Sequence, residues 1–275
     1  MRRLLPLLLV LPLLGCSSPG NGRPTVVVGA YPFSWLARQL VGDRADVVDL
    51  VKPGVEPHDV ELTPRQIGRV EQATVVFYLK GFQPAVDDAV GLSHHAIDLG
   101  RGLPRIHGEG GLDPHVWLDP VLMQQMAATM ARALASRLPG AFPTAAVDAS
   151  LTALDRDVRA QLAGCAQQEI VTSHAAFAYF ARRYGLSQRG ITGLSPDAEP
   201  SPRRLAEVAS YARSHHVTTI FFESLVSPKV AQTVAAEVGG TTAVLDPIES
   251  VRGTDDYPSV MRRDAAALHT ALGCS

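Results

Sequence analysis

The sequence predicts an α/β protein of two lobes, each built on a mostly parallel sheet, joined by a long helix. Short β-rich runs alternate with helical segments in both halves of the chain, as in proteins with parallel sheets. The run 25–29 is continuously apolar, which is typical of a strand buried on both faces. A helical stretch near 144–162 separates the two alternating halves. The predicted units are an N-terminal lobe at 25–143, a linking helix at 144–164 and a C-terminal lobe at 165–275.

The first half alternates four predicted strands with helices. Thr63 is a good N-cap and Pro64 suits the first helical position, so a helix is expected to begin there. Another helix is expected directly after the first strand. The predicted strands are 25–29, 46–51, 74–79 and the weaker 96–99, and the helix after the first strand is 32–41.

Two long helices are predicted in the middle of the chain. The first opens at Asp119-Pro120 and runs to about Leu138, where a Pro-Gly pair breaks it. The second runs from about Thr144 to Leu162, with apolar residues at a steady spacing of three to four. This second helix is the natural connector between the lobes.

Alternation resumes in the second half of the chain. Gly185 ends one predicted helix and the pair Gly239-Gly240 ends another. The predicted strands are 169–172, one within 186–192, 217–222 and 242–245, and the predicted helices are 175–184, 202–214, 228–238 and 257–272.

The N-terminus has the form of a secretory signal. Arg2 and Arg3 precede an apolar run at 4–14 that is too short to span a bilayer, and Gly15-Cys16 follows. The end of this run resembles a bacterial lipobox, so we expect a signal peptide at 1–15, a lipidated Cys16 and a flexible tether at 16–24. An ordinary secretory signal with a chance cysteine is the alternative. Either way the protein is expected outside the cytoplasm.

The net charge bears on nucleic-acid binding, and the cysteine content bears on disulfide formation. The formal net charge of −2 gives no indication of nucleic-acid binding. With Cys16 lipidated, Cys165 and Cys274 remain, and an exported protein sits where disulfides persist. A Cys165–Cys274 disulfide is therefore predicted, with two buried free thiols as the alternative.

Four side chains stand where ligands gather in an open α/β sheet, outside the carboxyl ends of strands. His58 follows the second strand, and His115 lies in a rigid turn between two Asp-Pro pairs. His174 and Asp246 each directly follow a strand of the second half. Three imidazoles and a carboxylate suit tetrahedral Zn²⁺. Taken singly, each has a plainer interpretation as a loop histidine, a helix cap or a turn residue.

Several motifs in the same order resemble those of the metal-binding solute-binding proteins of ABC transporters, the cluster A-I family. The match extends from about Thr25 to Ser275. The segments that carry it are 56–59 (EPHD), 113–120 (DPHVWLDP), 172–175 (TSHA) with 184–185 (YG), 221–228 (FFESLVSP) and 245–247 (LDP).

The resemblance implies two α/β lobes joined by a long rigid helix, in a lipid-anchored extracytoplasmic receptor. Such a receptor binds Zn²⁺ as cargo in the cleft between its lobes and passes it to a permease with its ATPase. The resemblance places the ligands at His58, His115, His174 and Asp246. Manganese-type members typically have Glu at the third ligand position. This sequence has His174 there and is therefore similar to the zinc type. The softer imidazole ligand also favours Zn²⁺ over Mn²⁺. Glu223 and Asp119 are expected to support the ligands or cap helices. We expect a monomer.

The sequence departs from the family pattern in one loop, and three other functions remain as alternatives. Many zinc-type members carry a long His- and acid-rich loop before the second ligand, whereas the stretch 101–111 holds only His107 and Glu109. His107 is either an auxiliary metal contact or a solvated loop residue.

The alternative functions are a receptor for manganese or another divalent metal and a surface adhesin. A zinc hydrolase is disfavoured, because four ligands close the site and no His-Glu-x-x-His or Gly-x-Ser-x-Gly motif occurs.

Overall fold

The computed structural model describes residues 22–91, 93–251 and 253–275. The predicted signal peptide at 1–15 and Cys16 lie outside these residues, as does most of the tether. Two four-stranded parallel sheets and the helices around them make up the described chain, which confirms the predicted α/β class. Among the described residues, every helix is too short or too polar to span a lipid bilayer.

The first sheet has the strand order β2-β1-β3-β4, with every neighbouring pair parallel. Helices pack beside it and connect its strands. The elements are β1 (Thr25–Val28), α1 (Tyr31–Val41), β2 (Asp46–Asp49), α2 (Pro64–Gln72), β3 (Val75–Tyr78), α3 (Pro84–Val90) and β4 (Ala96–Asp98).

A small hairpin and two long helices follow the first sheet. The hairpin pairs two-residue strands antiparallel, and the second long helix leads into the second sheet. The elements are β5 (His107–Gly108), β6 (Gly111–Leu112), α4 (Pro120–Ala135) and α5 (Ala145–Gln161).

The second sheet has the order β10-β9-β7-β8 and is also parallel throughout. If β7 to β10 are numbered from one to four, the strand order is the same as that of the first sheet. Its elements are β7 (Glu169–Thr172), α6 (Ala178–Tyr184), β8 (Ser187–Gly190), α7 (Pro202–Ser214), β9 (Thr219–Phe222), α8 (Lys229–Val238), β10 (Thr241–Val244) and α9 (Tyr257–Leu272).

One apolar cluster runs from the first half of the chain to the second. It contains Phe33 and Trp117 from the first half together with Phe180 and Tyr257 from the second, all of them nearly inaccessible to solvent. The linking helix α5 adds its apolar face, including Leu154. The two halves therefore share a packed core rather than meeting only at a surface.

Two local features differ from the prediction. The helix α3 was not predicted, because its seven residues are too few for a clear periodic pattern and the side chain of Gln83, at the N-cap position, does not cap it. The helix α6 begins at Ala178 rather than at Ala175. The nitrogen of Ala175 donates to Gly193 O at 2.9 Å, so this turn is bonded to a neighbouring loop instead of to a helix.

The sulfur atoms of Cys165 and Cys274 are bonded to each other in the structure, 109 residues apart in sequence. The residues next to them are also paired through the backbone, since the nitrogen of Ala166 donates to Gly273 O. The end of α9 is thereby tied to the segment that follows α5.

Candidate metal centre

Three histidines and one glutamate meet between the two sheets. His58, His115, His174 and Glu249 each offer a ligand atom, and these atoms all lie within 4.8 Å of one another. The side chains of His115 and His174 are fully buried, and that of His58 is 10 % exposed. The histidines follow, in order, β2, the hairpin and β7, and Glu249 follows β10.

Three of the six distances among these atoms are close to those in a tetrahedral zinc cage. Glu249 Oε1 lies 3.0 Å from His58 Nε2 and 2.9 Å from His115 Nε2. His174 Nε2 lies 3.2 Å from His115 Nε2. Ligands about 2.0–2.1 Å from a tetrahedral zinc ion are about 3.3 Å from one another. These three pairs would each need to move apart by less than about half an ångström to admit such an ion.

Two of the histidines are oriented by carboxylates on their far side. His115 Nδ1 lies 2.8 Å from Asp113 Oδ1, and His174 Nδ1 is hydrogen-bonded to Glu223 Oε1. A proton on each Nδ1 leaves the Nε2 lone pair facing the centre, which is the arrangement that metal-binding histidines use. Asp113 also accepts from the backbone nitrogen of His115 at 2.9 Å, which fixes the turn.

The pKa shifts reflect this dense packing of opposite charges. Burial by itself would lower the pKa of His115, but Asp113 and Glu249 outweigh burial and raise the pKa to about 9. Burial would raise the pKa of Glu249, but hydrogen bonds from His115 and His58 hold it well below its usual range. A cation is thus strongly favoured at this position, whether a proton or a metal ion.

The loop that carries His58 is held from several sides. Gln83 Nε2 donates to Pro57 O at 3.1 Å, and the backbone nitrogen of His58 donates to Glu56 Oε1 at 3.0 Å. The ring of Phe82 packs edge-on against the ring of His58, with centroids 4.9 Å apart. Burial and the charge of Glu249 raise the pKa of Glu56 to about 8.

Trp117 links the two halves of the site. Its Nε1 donates to Pro247 O at 2.7 Å, which fixes the loop that carries Glu249. Tyr257 Oη donates in turn to Trp117 O at 2.6 Å. Both bonds are buried. The loop after β10 is therefore fastened to the segment that carries His115.

Asp246 lies near the group but outside it. One carboxylate oxygen accepts from Ser224 Oγ at 2.6 Å and the other from the backbone nitrogen of Ile248 at 2.8 Å. Its own nitrogen donates to Asp264 Oδ1 at 3.0 Å. Burial raises the pKa of Asp246, which the bond from Ser224 partly offsets. Of the four predicted ligands, the structure brings together the three histidines and sets Asp246 on the loop beside them.

Glu249, Asp113 and Glu56 were not among the site residues predicted from the sequence, although the last two lie in the motifs that carry the resemblance. Glu249 could be suspected only from its place in the same loop as Asp246, and Asp113 from its place in the DPHVWLDP segment. Of the two supporting residues that were predicted, Glu223 contacts His174. Asp119 caps α4 by accepting from the nitrogen of Val121 and lies 3.7 Å from Arg183.

The hairpin β5–β6 crosses from the first half to the second. Glu109 Oε2 forms an ion pair with Arg204 Nη2 at 2.8 Å, and a Cβ on Gly193 would lie 2.8 Å from Glu109 O. A cavity of about 520 Å³, lined in part by His58 and Leu194, lies at this crossing. His107 is exposed on the hairpin and is not part of the four-residue group.

A family described as ZnuA, zinc-uptake complex component A periplasmic, matches residues 26–271. The high-affinity zinc uptake system protein ZnuA of Bacillus subtilis (strain 168) is 33 % identical over 94 % of this chain and 90 % of its own length. The zinc-binding lipoprotein AdcA of Streptococcus pneumoniae serotype 4 is 34 % identical over 96 % of this chain. The match spans only 59 % of AdcA.

Solved structures show the same architecture. The laminin-binding protein Lmb of Streptococcus agalactiae, described as a bifunctional protein with adhesin and metal-transporting activity, superposes with a TM-score of 0.81 at 27 % identity, over 90 % of this chain and 99 % of its own. The Zn(II)-bound ZnuA-like domain of Streptococcus pneumoniae AdcA has a TM-score of 0.78 at 32 % identity, over 91 % and 99 %. With the family match over most of its length, this chain belongs to the ZnuA family of periplasmic zinc-uptake components.

Proposed function

We propose that this protein is an extracytoplasmic zinc receptor that captures Zn²⁺ between its two halves and delivers it to an ABC-transporter permease. The observation that carries the proposal is the buried group of three imidazole nitrogens and one carboxylate oxygen, all within 4.8 Å of one another. The names of the relatives support the same cargo, since one is a zinc uptake protein and another a zinc-binding lipoprotein.

His58, His115, His174 and Glu249 are the ligands in this proposal. Asp246 was the carboxylate that the sequence favoured, and Glu249 takes that place because its oxygen already lies beside two of the histidines. Three nitrogen ligands favour Zn²⁺ over Mn²⁺, which prefers oxygen. Four protein ligands leave no open coordination position for a catalytic water. This arrangement favours a receptor over a hydrolase.

The remaining parts of the proposal concern attachment and partners. Lipid on Cys16 holds the protein at the outer face of the membrane, and the segment up to the first strand acts as a tether. A permease and its ATPase receive the metal from a monomeric receptor. The Cys165–Cys274 disulfide suits this oxidising compartment.

Calorimetry with Zn²⁺ tests the proposal directly. Wild-type protein is expected to bind one zinc ion tightly and to keep it in the presence of excess Mn²⁺. His174→Ala removes a buried ligand, so its affinity should fall by at least about 100-fold, more than the 10- to 100-fold range seen for supporting residues.

His215→Ala is the matched control, because His215 is exposed at the end of α7. This variant should bind zinc like the wild type. Folded wild-type protein that binds no zinc would contradict the proposal, and equal losses in the two variants would contradict the assignment of His174.

A further inference from the structure

Three glutamates converge beside the histidine group, and each comes from a different loop. Glu56 precedes His58, Glu223 follows β9 and Glu249 follows β10. One carboxylate oxygen of each lies within 4.8 Å of one from each of the others. Glu223 is 3 % exposed and Glu249 is 1 % exposed. Two of the three carboxylates are thus out of contact with bulk water, and the half-buried Glu56 lies beside them.

Each of these glutamates contacts its hydrogen-bond partners through only one of its two carboxylate oxygens. Oε1 of Glu56 accepts from His58 N, Oε1 of Glu223 accepts from Ser173 Oγ at 2.6 Å and pairs with His174, and Oε1 of Glu249 faces His58 and His115. The three Oε2 atoms are buried and have no hydrogen-bond partner among the residues that the structure describes. Such orphaned acceptors are costly unless something binds them.

These glutamates have few cationic partners. In the described part of the chain, the ion-pair partners of Glu223 and Glu249 are histidines alone, and neutral histidines are the form that binds zinc. Buried carboxylates without a cationic partner are strongly unfavourable.

We propose that Glu56, Glu223 and Glu249 bind a second divalent cation, with Glu249 bridging it to the zinc position. Oxygen-only ligands select a hard ion such as Mn²⁺, Mg²⁺ or Ca²⁺ rather than a second zinc. A carboxylate bridge of this kind holds two metal ions about 3.5–4 Å apart. The inference rests on the proposed zinc site only in sharing Glu249.

Electron paramagnetic resonance with Mn²⁺ tests the second position. Purified protein is first saturated with zinc, and one zinc per chain is verified by mass spectrometry. Mn²⁺ is then added, and the signal of free Mn²⁺ is followed. We expect one Mn²⁺ to bind per chain without releasing zinc, and we expect Glu56→Gln to weaken Mn²⁺ binding at least tenfold.

Glu61→Gln is the matched control, since Glu61 is an exposed carboxylate of the same loop, and it should bind Mn²⁺ like the wild type. Mn²⁺ that fails to bind, that displaces zinc or that binds Glu56→Gln equally well would overturn the inference. A Glu56→Gln protein that no longer holds zinc would place Glu56 in the zinc site itself and would also overturn it. The zinc content is measured separately, so wild-type protein without zinc would contradict the proposed function instead.

Discussion

The carboxylate of Asp246 accepts a hydrogen bond of 2.8 Å from the backbone nitrogen of Ile248, a buried residue whose φ is +59°. A β-branched residue rarely adopts this left-handed conformation, which costs about 1–3 kcal/mol and persists only where its surroundings enforce it. Glu249 is the next residue. Asp246 and Trp117 therefore hold a strained loop in the conformation that directs Glu249 toward the histidines.

Substitution of Asp246 separates this positioning role from a ligand role. Asp246→Asn keeps an oxygen that can accept from Ile248 and should bind zinc within about threefold of wild type. Asp246→Ala releases the strained loop and should lose about 10- to 100-fold in affinity, as supporting residues do. Glu249→Gln should lose affinity because an amide is a poor zinc ligand. Competition with a chromophoric chelator measures all three, and an Asp246→Asn loss as large as that of Glu249→Gln would make Asp246 a ligand.

Zinc affinity should fall as the pH falls below about 9. Asp113 and Glu249 raise the pKa of His115 to about 9, so below this pH the metal-free protein carries a proton that zinc must displace. One displaced proton lowers the affinity about tenfold per pH unit. Calorimetry in two buffers of different ionisation enthalpy measures the protons released. Equal affinity and no proton release between pH 6 and pH 9 would contradict this linkage.

Asp264→Asn should flatten the dependence of stability on pH. Burial raises the pKa of Asp264 well above its usual value, so its folded-state stabilisation is present below the unfolded pKa of about 3.9 and is lost as the pH rises toward the folded pKa. The amide keeps the acceptor for Asp246 N and cannot ionise. Relative to wild type, the variant should therefore gain stability between pH 5 and pH 8.

Urea unfolding of the metal-free protein at the two pH values measures this difference. Asp43→Asn, at an exposed position before β2, is the control and should follow the wild type. The same change in the midpoint for wild type and Asp264→Asn would show that Asp264 does not lose stabilisation in this range.

Gly193→Ala should increase the rate at which zinc leaves. Its Cβ would lie 2.8 Å from Glu109 O, so the hairpin β5–β6 must move away from the second half. Glu109→Gln only weakens a partly exposed ion pair with Arg204, which is worth about 0–1 kcal/mol, and should change the rate less. Stopped-flow transfer of zinc to a chelator measures both. Unchanged dissociation in Gly193→Ala would show that the hairpin does not limit exit.

Removing the Cys165–Cys274 disulfide should lower the free energy of unfolding by about 2–5 kcal/mol, because the bond closes a long loop in the unfolded chain. Urea unfolding of the double serine variant, compared with oxidised and reduced wild type, measures this change. Reduced wild type should unfold like the variant. Oxidised wild type that unfolds at the same urea concentration as the variant would contradict the stabilising bond.

The sequence revealed the parts of the site that follow regular elements. His174 comes directly after a buried strand, and His58 and His115 lie in proline-fixed loops near strand ends, so the parallel-sheet rule identified them as candidates. Glu249 lies three residues beyond Asp246 in an irregular loop. Its direction depends on the positive φ of Ile248 and on the bond from Trp117, and neither leaves a periodic or compositional pattern. The partners Glu56 and Asp113 depend in the same way on loop contacts.

The hydrogen bonds that Trp117 makes with Pro247 and Tyr257 have a consequence for the route by which the ion enters and leaves. They join the loop of Glu249 to the segment of His115 above a continuous core, so the two halves cannot separate as rigid bodies without breaking buried bonds. The ring of His58 is the most exposed of the three imidazoles. We therefore expect the ion to pass by local movement of the loop that carries His58 and of the neighbouring hairpin, while the rest of the cage stays closed.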